Sequence, residues 1–274
     1  MRPDDMQIIG VCRFSYPAIG GFQVDHATVE ERVAFLYDPA RMEERFRLFE
    51  SFTLPSLRAQ TDPRFTLLIV IGDAMPEPWR SRLTDLVAGM PQVVVAERAP
   101  AQHRGVMKEV INAHLADTGL HSLQFRMDDD DAVAVDFIER LRRTAGDCAG
   151  LIARHRHVAI DFNQGLIAAP GPNGIAAAPL TEGMITAALA ITVPPGISNT
   201  VMNFSHKKMW KRMAVIAQPG EDMFLRGHSD FNDSRQVGEV RDFRLTPLTP
   251  EQEAHVLRRF NVSADQVRAL FRRN

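Results

Sequence analysis

Four aspartates stand in a row at Asp128–Asp131, directly after the apolar run Leu123–Met127. An apolar run that ends at carboxylates predicts a buried strand, which brings its charges to the edge where a parallel α/β sheet keeps its ligands. Adjacent carboxylates repel one another, so we expect a cation among them. Hard oxygen ligands select Mg²⁺, Mn²⁺ or Ca²⁺, and Mg²⁺ or Mn²⁺ usually brings a phosphorylated ligand. The alternative is an acidic turn before a helix that Asp136 and Glu139 would cap.

Composition limits the class of protein. The chain has 274 residues, of which 45% are hydrophobic, enough for one large α/β domain or two small ones. A formal net charge of -2 argues against nucleic acid as a partner. The two cysteines are too few for a disulfide framework and favour a reduced, cytoplasmic protein. The first residues lack the apolar core of a signal peptide, and no stretch reaches the length of a transmembrane segment.

Strand-like and helix-like patterns alternate four times in the first half of the chain. The alternation predicts a mostly parallel sheet with helices on both faces. Pro55 marks a bend or restart in the first helix. The predicted strands cover 6–14, 65–71, 93–96 and 123–127, and the predicted helices cover 42–54, 80–87, 103–115 and 135–144.

The second half is less regular. Residues 150–162 are predicted to hold two strands, and 170–174 are a turn by composition. Thr249 and Gln252 form the pattern of a capping box that starts a helix to about Phe260, and Ser263 starts another helix.

Several of these segments together resemble a known family. Ser56-Leu57-Arg58-Ala59-Gln60-Thr61 looks like the S-L-x-x-Q-T pattern that glycosyltransferases of the GT-A fold often carry between their first two strands. Taken with Arg13-Phe14, Asp73, His103-Arg104-Gly105 and the aspartate cluster, it resembles the rhamnosyltransferase family of bacterial GT-A-like proteins. The resemblance covers residues 6–145 well. It implies an α/β fold with a GT-A-like, mostly parallel sheet flanked by helices, followed here by C-terminal helices.

The resemblance also implies an organisation and an activity. We expect a single domain with a nucleotide-sugar-binding half at 1–133, an acceptor and catalytic half at 134–248, and a helical tail at 249–274. The implied partners are a nucleotide-diphosphate sugar donor, with rhamnose as a candidate sugar, and a glycan or other acceptor that offers a hydroxyl group. The implied activity is that of a metal-dependent glycosyltransferase.

The D-x-D motif of such enzymes can be placed in two registers, Asp128 with Asp130 or Asp129 with Asp131. By resemblance, the first aspartate contacts the ribose or the metal and the last holds the metal, Mn²⁺ or Mg²⁺. We favour Asp129 and Asp131 as ligands, followed by Asp130, with Asp128 and Asp129 near the donor. The resemblance implies a late histidine as a further ligand, and His228 in the segment 225–232 is the candidate, although a surface histidine is the alternative.

The nucleotide pocket is predicted at the ends of the earlier strands. Arg13 offers a cation and Phe14 a stacking face, while Asp73 is placed to accept a hydrogen bond from the base. Arg104 and Lys108 stand one helical turn apart near a helix N-terminus, where cations face a pyrophosphate. For Asp73 a turn-forming role is the alternative, and for Lys108 a solvated surface charge is preferred.

An inverting transferase needs a base for the acceptor hydroxyl, and a carboxylate is the usual choice. Asp222 is the candidate, with Glu221 second and Asp161 third. The pair Glu221-Asp222 would equally suit the first turn of a helix. The stretch Ser198–Trp210, which contains His206, suits either sugar binding or a basic surface.

Two other functions use the same residues. The run Phe125–Val133 superficially fits a strand ending in D-x-D-x-V, as in haloacid-dehalogenase-like phosphatases, where the first aspartate, here Asp129, would be a nucleophile. That motif belongs at the first strand of its core, whereas here four alternating elements come first. A non-catalytic, cation-dependent glycan- or protein-binding module would use the acidic loop without a nucleotide pocket.

Overall fold

A seven-stranded sheet forms the centre of the molecule, and a five-stranded sheet lies beside it. The computed structural model describes residues 5–20, 26–228 and 243–272. Within them the strands are β1 (Ile8–Arg13), β2 (Thr66–Gly72), β3 (Val93–Arg98), β4 (Ser122–Asp128), β5 (Ala132–Val133), β6 (Val158–Asp161), β7 (Gln164–Gly171), β8 (Gly174–Thr181), β9 (Leu189–Val193), β10 (Ala214–Ala217), β11 (Phe224–Gly227) and β12 (Thr246–Pro247).

The large sheet has the order β3-β2-β1-β4-β9-β6-β10. Its pairs are parallel except those of β9, which runs antiparallel to both β4 and β6. The carboxyl ends of β1, β2, β3, β4, β6 and β10 therefore share one edge. This confirms the predicted mostly parallel α/β class. The strands β1 and β2 are almost entirely apolar and buried because the sheet is covered on both faces there.

The helices confirm the early alternation with one local change. In the described residues they are α1 (Val29–Leu36), α2 (Pro39–Leu48), α3 (Leu54–Arg58), α4 (Glu77–Val87), α5 (His103–Ala113), α6 (Phe137–Asp147), α7 (Ala149–Ile152), α8 (Pro250–Phe260) and α9 (Ala264–Phe271). A π-helical segment, Phe49–Thr53, joins α2 to α3. Pro55 has no backbone N–H to donate. The helix therefore takes the wider π-helical form just before Pro55 and continues into α3, instead of ending and starting again.

The small sheet has the order β12-β8-β7-β11-β5. It contains most of the strand residues that the structure describes in the second half of the chain. The predicted turn at 170–174 lies in the hairpin between β7 and β8. The prediction of two strands at 150–162 was wrong. A helical turn, α7, comes first and is followed by β6 alone, because short apolar runs do not distinguish a helix from a strand.

The C-terminal helices are confirmed. Thr249 and Gln252 form the predicted capping box of α8, and the Ser263 side chain caps α9. The Asn261 amide between them donates to the Pro55 carbonyl at 3.0 Å, which ties the tail to α3. No helix in the described residues has the length and apolarity needed to cross a membrane.

Candidate active site

The four aspartates form a turn between β4 and β5 at the carboxyl edge of the large sheet. We call Asp128–Asp131 the acidic loop. One oxygen from each of Asp128, Asp130 and Asp131 lies within 4.8 Å of the others. Among the described residues, this is the group of carboxylates whose spacing could hold a metal ion. Asp129 lies outside the group, so the geometry favours Asp128 with Asp130 over the register that we preferred from the sequence.

Asp129 faces a buried arginine instead. Arg45 on α2 donates from Nε to Asp129 Oδ2 at 3.1 Å, and its second terminal nitrogen contacts Asp129 Oδ1. The remaining terminal nitrogen lies 3.4 Å from Asp130 Oδ2. These side chains are only 3 to 4% exposed. Arg45 therefore neutralises part of the acidic loop and fixes its shape, with a fork that matches a carboxylate.

Asp131 is held from two sides. Its Oδ1 accepts the Gly227 amide at 3.0 Å, and its carbonyl accepts the Thr53 hydroxyl at 2.7 Å. A Cβ on Gly227 would lie 2.3 Å from the Asp130 carbonyl oxygen, so only glycine allows β11 this close. Burial, followed by the charges of Asp130 and Asp128, raises the pKa of Asp131 well above its ordinary value. Buried negative charge in excess of its counter-ions is the condition under which a cation binds.

A cavity of about 310 Å³ opens beside the acidic loop. Three arginines and Asp128 line it together with the imidazoles of His103 and His206. Arg13 on β1 stands opposite Asp128 in the sheet register, and Arg104 reaches in from the first turn of α5. The arginines of the cavity are Arg13, Arg104 and Arg126.

Arg126 is the arginine with the least compensation. Burial lowers its pKa, and the carboxylate of Asp128 offsets this only partly. Its Nε is buried and has no hydrogen-bond partner in the structure. Burial and the nearby arginines also lower the pKa of His103 to about 3, so this imidazole is neutral at pH 7. A cavity with these charges is complementary to a polyanion such as a diphosphate.

Not every predicted pocket residue reaches this cavity. Phe14 was predicted to offer a stacking face, and this was wrong. Its ring is fully buried and packs edge-on against Phe46 and Phe49, with ring centroids 4.9 and 5.3 Å apart. Arg13 faces the cavity, and Phe14, the next residue on the extended chain, points to the opposite side.

Asp73 and Lys108 lie outside the residues that line the cavity. Asp73 follows β2 and is exposed, at the same edge of the sheet as the acidic loop. Its role in base recognition stays a prediction. Lys108 is half-buried on α5, and nothing in the structure adds to its preferred interpretation as a surface charge.

His228 directly follows β11, whose last residue contacts the acidic loop. Its backbone amide donates to the Ala168 carbonyl at 2.8 Å. The imidazole is not part of the carboxylate group described above. The metal-ligand role of His228 stays a prediction, and residues 229–232 of the predicted segment lie outside the described residues.

Glu221 and Asp222 precede β11 at the end remote from the acidic loop. Asp222 lies 2.8 Å from His255 Nε2, and its carbonyl accepts from Arg259 on the same helix, α8. Glu221 is exposed and contacts Arg140. The five residue steps from Asp222 to Gly227 span about 16 Å of extended chain. The structure therefore does not bring the first two base candidates to the cavity.

Asp161 lies at the carboxyl end of β6, two strands away from β4, which is about 10 Å across the sheet. It is 2% exposed. Its Oδ2 accepts the Met184 amide at 2.9 Å, and its Oδ1 is buried without a hydrogen-bond partner. Burial raises its pKa, and the bond from Met184 lowers it less. Among the three base candidates, Asp161 lies at the correct edge of the sheet.

Sequence reasoning missed Arg45 and Arg126. Two signals were present. Arg45 interrupts the apolar stripe of its helix, three residues after Met42, and buried charges in a stripe are paired. Arg126 stands two residues before Asp128 in strand β4, so both side chains face the same side.

Comparisons with known proteins give a family and several solved structures of low similarity. Residues 7–241 match a family model described as "Putative rhamnosyl transferase". No curated protein matches the chain. Among solved structures, S. aureus TarS 1-349 is similar at 9% identity with a TM-score of 0.42, over 81% of this chain and 60% of that chain. S. aureus TarS 1-349 in complex with UDP-GlcNAc is similar at 11% identity with a TM-score of 0.42, over 86% of this chain and 62% of that chain.

A cytidylyl-group enzyme, 4-diphosphocytidyl-2C-methyl-D-erythritol synthase of Anaerococcus prevotii, is similar at 9% identity with a TM-score of 0.35, over 80% of this chain and 89% of that chain. This chain spans about three fifths of the two TarS 1-349 chains.

Proposed function

Because the chain belongs to the rhamnosyl transferase family, whose model matches residues 7–241, we propose that it moves a sugar from a nucleotide-diphosphate sugar to an acceptor hydroxyl. The family makes the chain a glycosyltransferase. The divalent metal, the donor and rhamnose as the first candidate sugar are parts of the proposal. The observation that carries it is the cavity where Asp128 stands among Arg13, Arg104 and Arg126.

The acidic loop fits a hard divalent cation. Asp128, Asp130 and Asp131 offer carboxylate oxygens within 4.8 Å of one another. Burial, followed by the charges of Asp130 and Asp128, raises the pKa of Asp131, and a bound cation would favour its charged form. We propose these residues as the ligands of Mn²⁺ or Mg²⁺, with His228 as a further candidate. When bound, the cation supplies charge that neutralises the leaving diphosphate.

The protein's own residues do the remaining work. Arg13, Arg104 and Arg126 hold the diphosphate and stabilise the charge that grows on it as the sugar leaves. Arg45 keeps Asp129 and Asp130 in place, so that the acidic loop does not spread under its own repulsion. Asp73, at the end of β2, is proposed to accept a hydrogen bond from the nucleotide base.

Neither alternative from the sequence fits as well. A phosphatase would need Asp129 as a free nucleophile, but Arg45 engages both of its oxygens in the interior. A non-catalytic module needs no cavity lined with arginines beside the carboxylates, and membership of the family favours an enzyme.

A donor screen tests the proposal. UDP-, GDP- and dTDP-sugars, including dTDP-rhamnose, are incubated with the protein in Mn²⁺ or in EDTA, and release of free sugar is measured. We expect slow hydrolysis of at least one donor in Mn²⁺ and none in EDTA. Asp128→Asn should lose this activity, whereas Asp85→Asn, on the exposed side of α4, should keep it.

The outcome against the proposal is also defined. If no nucleotide sugar is hydrolysed, and no nucleoside diphosphate raises the melting temperature in Mn²⁺ beyond Mn²⁺ alone, the protein does not bind such donors. A rise in melting temperature with Mn²⁺ alone would then return the binding module as the better hypothesis.

A further inference from the structure

His206 carries a hydrogen-bond acceptor that nothing in the described protein uses. It starts a short 3-10 helix, His206–Lys211, and lines the same cavity as Arg126 and Asp128. Its Nδ1 lies 2.5 Å from the Met184 carbonyl oxygen. A carbonyl only accepts, so Nδ1 carries the hydrogen of this bond.

The neutral ring therefore presents a bare lone pair at Nε2. Burial, and then the charge of Arg126, lowers the pKa of His206 to about 4, so the ring is neutral near pH 7. In the part of the chain that the structure describes, Nε2 has no hydrogen-bond partner, yet it is not sealed from solvent. An acceptor beside arginines cannot bind the anionic part of a ligand, and it requires a donor such as a hydroxyl group.

Met184 and Asp161 fix the position of the imidazole ring. Met184 has a φ of +63°, an uncommon conformation for a residue with a side chain. Its amide donates to Asp161 Oδ2 at 2.9 Å, while its carbonyl accepts from His206. Asp161 thus holds Met184 at its backbone amide, and the carbonyl of the same residue, in the next peptide group, orients the imidazole. Such support keeps a binding group within the small tolerance that recognition needs.

The neighbours of His206 indicate which hydroxyl it meets. The sugar of a nucleotide sugar is bonded directly to the diphosphate, so it lies next to the residues that hold the phosphates. Arg126, a proposed phosphate ligand, is close enough to depress the pKa of His206. Thr186 and Ser205 also line this cavity and offer further hydroxyl groups.

We propose that Nε2 of His206 accepts a hydrogen bond from a hydroxyl of the donor sugar, and that Asp161 is a positioning residue that acts through Met184. The proposal rests on the proposed function and adds the residue that distinguishes a nucleotide sugar from the bare nucleotide. The ligand class is a nucleotide-linked sugar with a free hydroxyl near its diphosphate.

Two substitutions test the roles of the two ring nitrogens separately. In His206→Asn the amide nitrogen takes the place of Nδ1 and can still donate to Met184, but the acceptor is gone. In His206→Gln the longer side chain places a carbonyl oxygen near the position of Nε2. The probes are the nucleotide sugar that the wild type hydrolyses and the matching nucleoside diphosphate, both titrated in Mn²⁺ by calorimetry.

We expect His206→Asn to weaken the affinity for the nucleotide sugar about 3- to 10-fold, the range for one hydrogen bond, and to leave the affinity for the nucleoside diphosphate unchanged. His206→Gln should recover part of the loss. The matched control is His155→Asn, which makes the same change at an exposed histidine and should alter neither affinity. Asp161→Asn, which keeps an acceptor for the Met184 amide, should preserve the preference for the sugar, and Asp161→Leu should reduce it.

Each other result overturns the inference. Equal losses for both probes would mean that His206 only supports the fold or the phosphates. An unchanged preference in His206→Asn would exclude contact with the donor sugar while leaving the proposed function intact. A wild type that binds neither probe would remove the proposed function, and this inference with it.

Discussion

Two buried arginine–aspartate clusters lie at opposite edges of the large sheet, and they differ in charge balance. At the amino edge, Arg142 donates to Asp62 at 2.9 Å and to the Met6 and Arg64 carbonyls, while Arg64 also binds Asp62. At the carboxyl edge, Arg45 meets Asp129 and Asp130, but Asp128 and Asp131 add further negative charge. The carboxylate of the first cluster is fully paired, whereas the second cluster contains more carboxylates than Arg45 contacts.

The pKa shifts of the carboxyl groups express this difference. Burial raises the pKa of Asp62, but the hydrogen bonds from Arg64 and Arg142 outweigh it and hold the pKa well below its ordinary value. Burial and neighbouring carboxylates raise the pKa of Asp131 instead. An aspartate whose charged form is favoured in the fold supports stability, whereas a buried aspartate whose charged form is disfavoured is a candidate for binding or chemistry.

The largest expected effect is on activity, at the carboxyl edge. Asp131→Asn should lower Mn²⁺-dependent donor hydrolysis about 100- to 1,000-fold, equivalent to about 2.7 to 4 kcal/mol, because a metal ligand and its charge are lost. The free energy of unfolding should stay the same or rise, since a repelled buried charge is removed. Activity and urea unfolding are measured on the same samples, with Asp85→Asn as the control. Full activity would remove Asp131 from the metal site.

Arg142→Met should show the reverse pattern. Removing the guanidinium leaves Asp62 buried with one partner fewer, and we expect a loss of about 3 kcal/mol in the free energy of unfolding. Donor hydrolysis per folded molecule should be unchanged. Arg143→Met, at the exposed neighbouring position, is the matched control and should cost little. Loss of activity at intact stability would show that the amino edge is also part of the site.

Asp62→Asn sharpens the comparison through its dependence on pH. The folded pKa of Asp62 is depressed, so its contribution is present above the unfolded pKa, about 4, and is lost as the pH falls through the folded pKa. We expect a destabilisation of about 2 kcal/mol at pH 7, from lost charged hydrogen bonds. The difference from wild type should shrink at pH 3. A difference independent of pH would mean that packing, not charge, explains the effect.

The smallest expected effect concerns Asp222. Asp222→Asn should cost about 1 kcal/mol of stability, because the contact with His255 is weakened, and transfer should fall only slightly. The sequence expectation was that Asp222 is the base and that this variant abolishes transfer while donor binding persists. Donor affinity, melting temperature and transfer rate measured together decide between them. Abolished transfer at normal stability would restore Asp222 as the base.

The sequence predicted the sheet and the acidic loop because both are local. Apolar residues alternate with Gln124 and Arg126 up to the aspartates, which is typical of a strand, and Leu123–Met127 became the core of β4. Contacts between residues that are distant in the chain could not be predicted in this way. Nothing local shows that Arg45 meets Asp129, or that β11 carries Asp222 away from the cavity. The prediction for Phe14 was wrong for another reason, since its position at the end of a strand does not show on which face of the sheet the side chain lies.

The contact between Gly227 and Asp131 has a consequence for folding. The two residues are 96 positions apart, and their hydrogen bond forms where β11 pairs with β5. Closing so long a loop costs conformational entropy before any contact repays it, and such contacts form slowly. The first 133 residues, although they contain every aspartate of the acidic loop, therefore cannot build the finished site alone. During synthesis, the final geometry of the acidic loop has to wait until β11 has been made and has joined the small sheet.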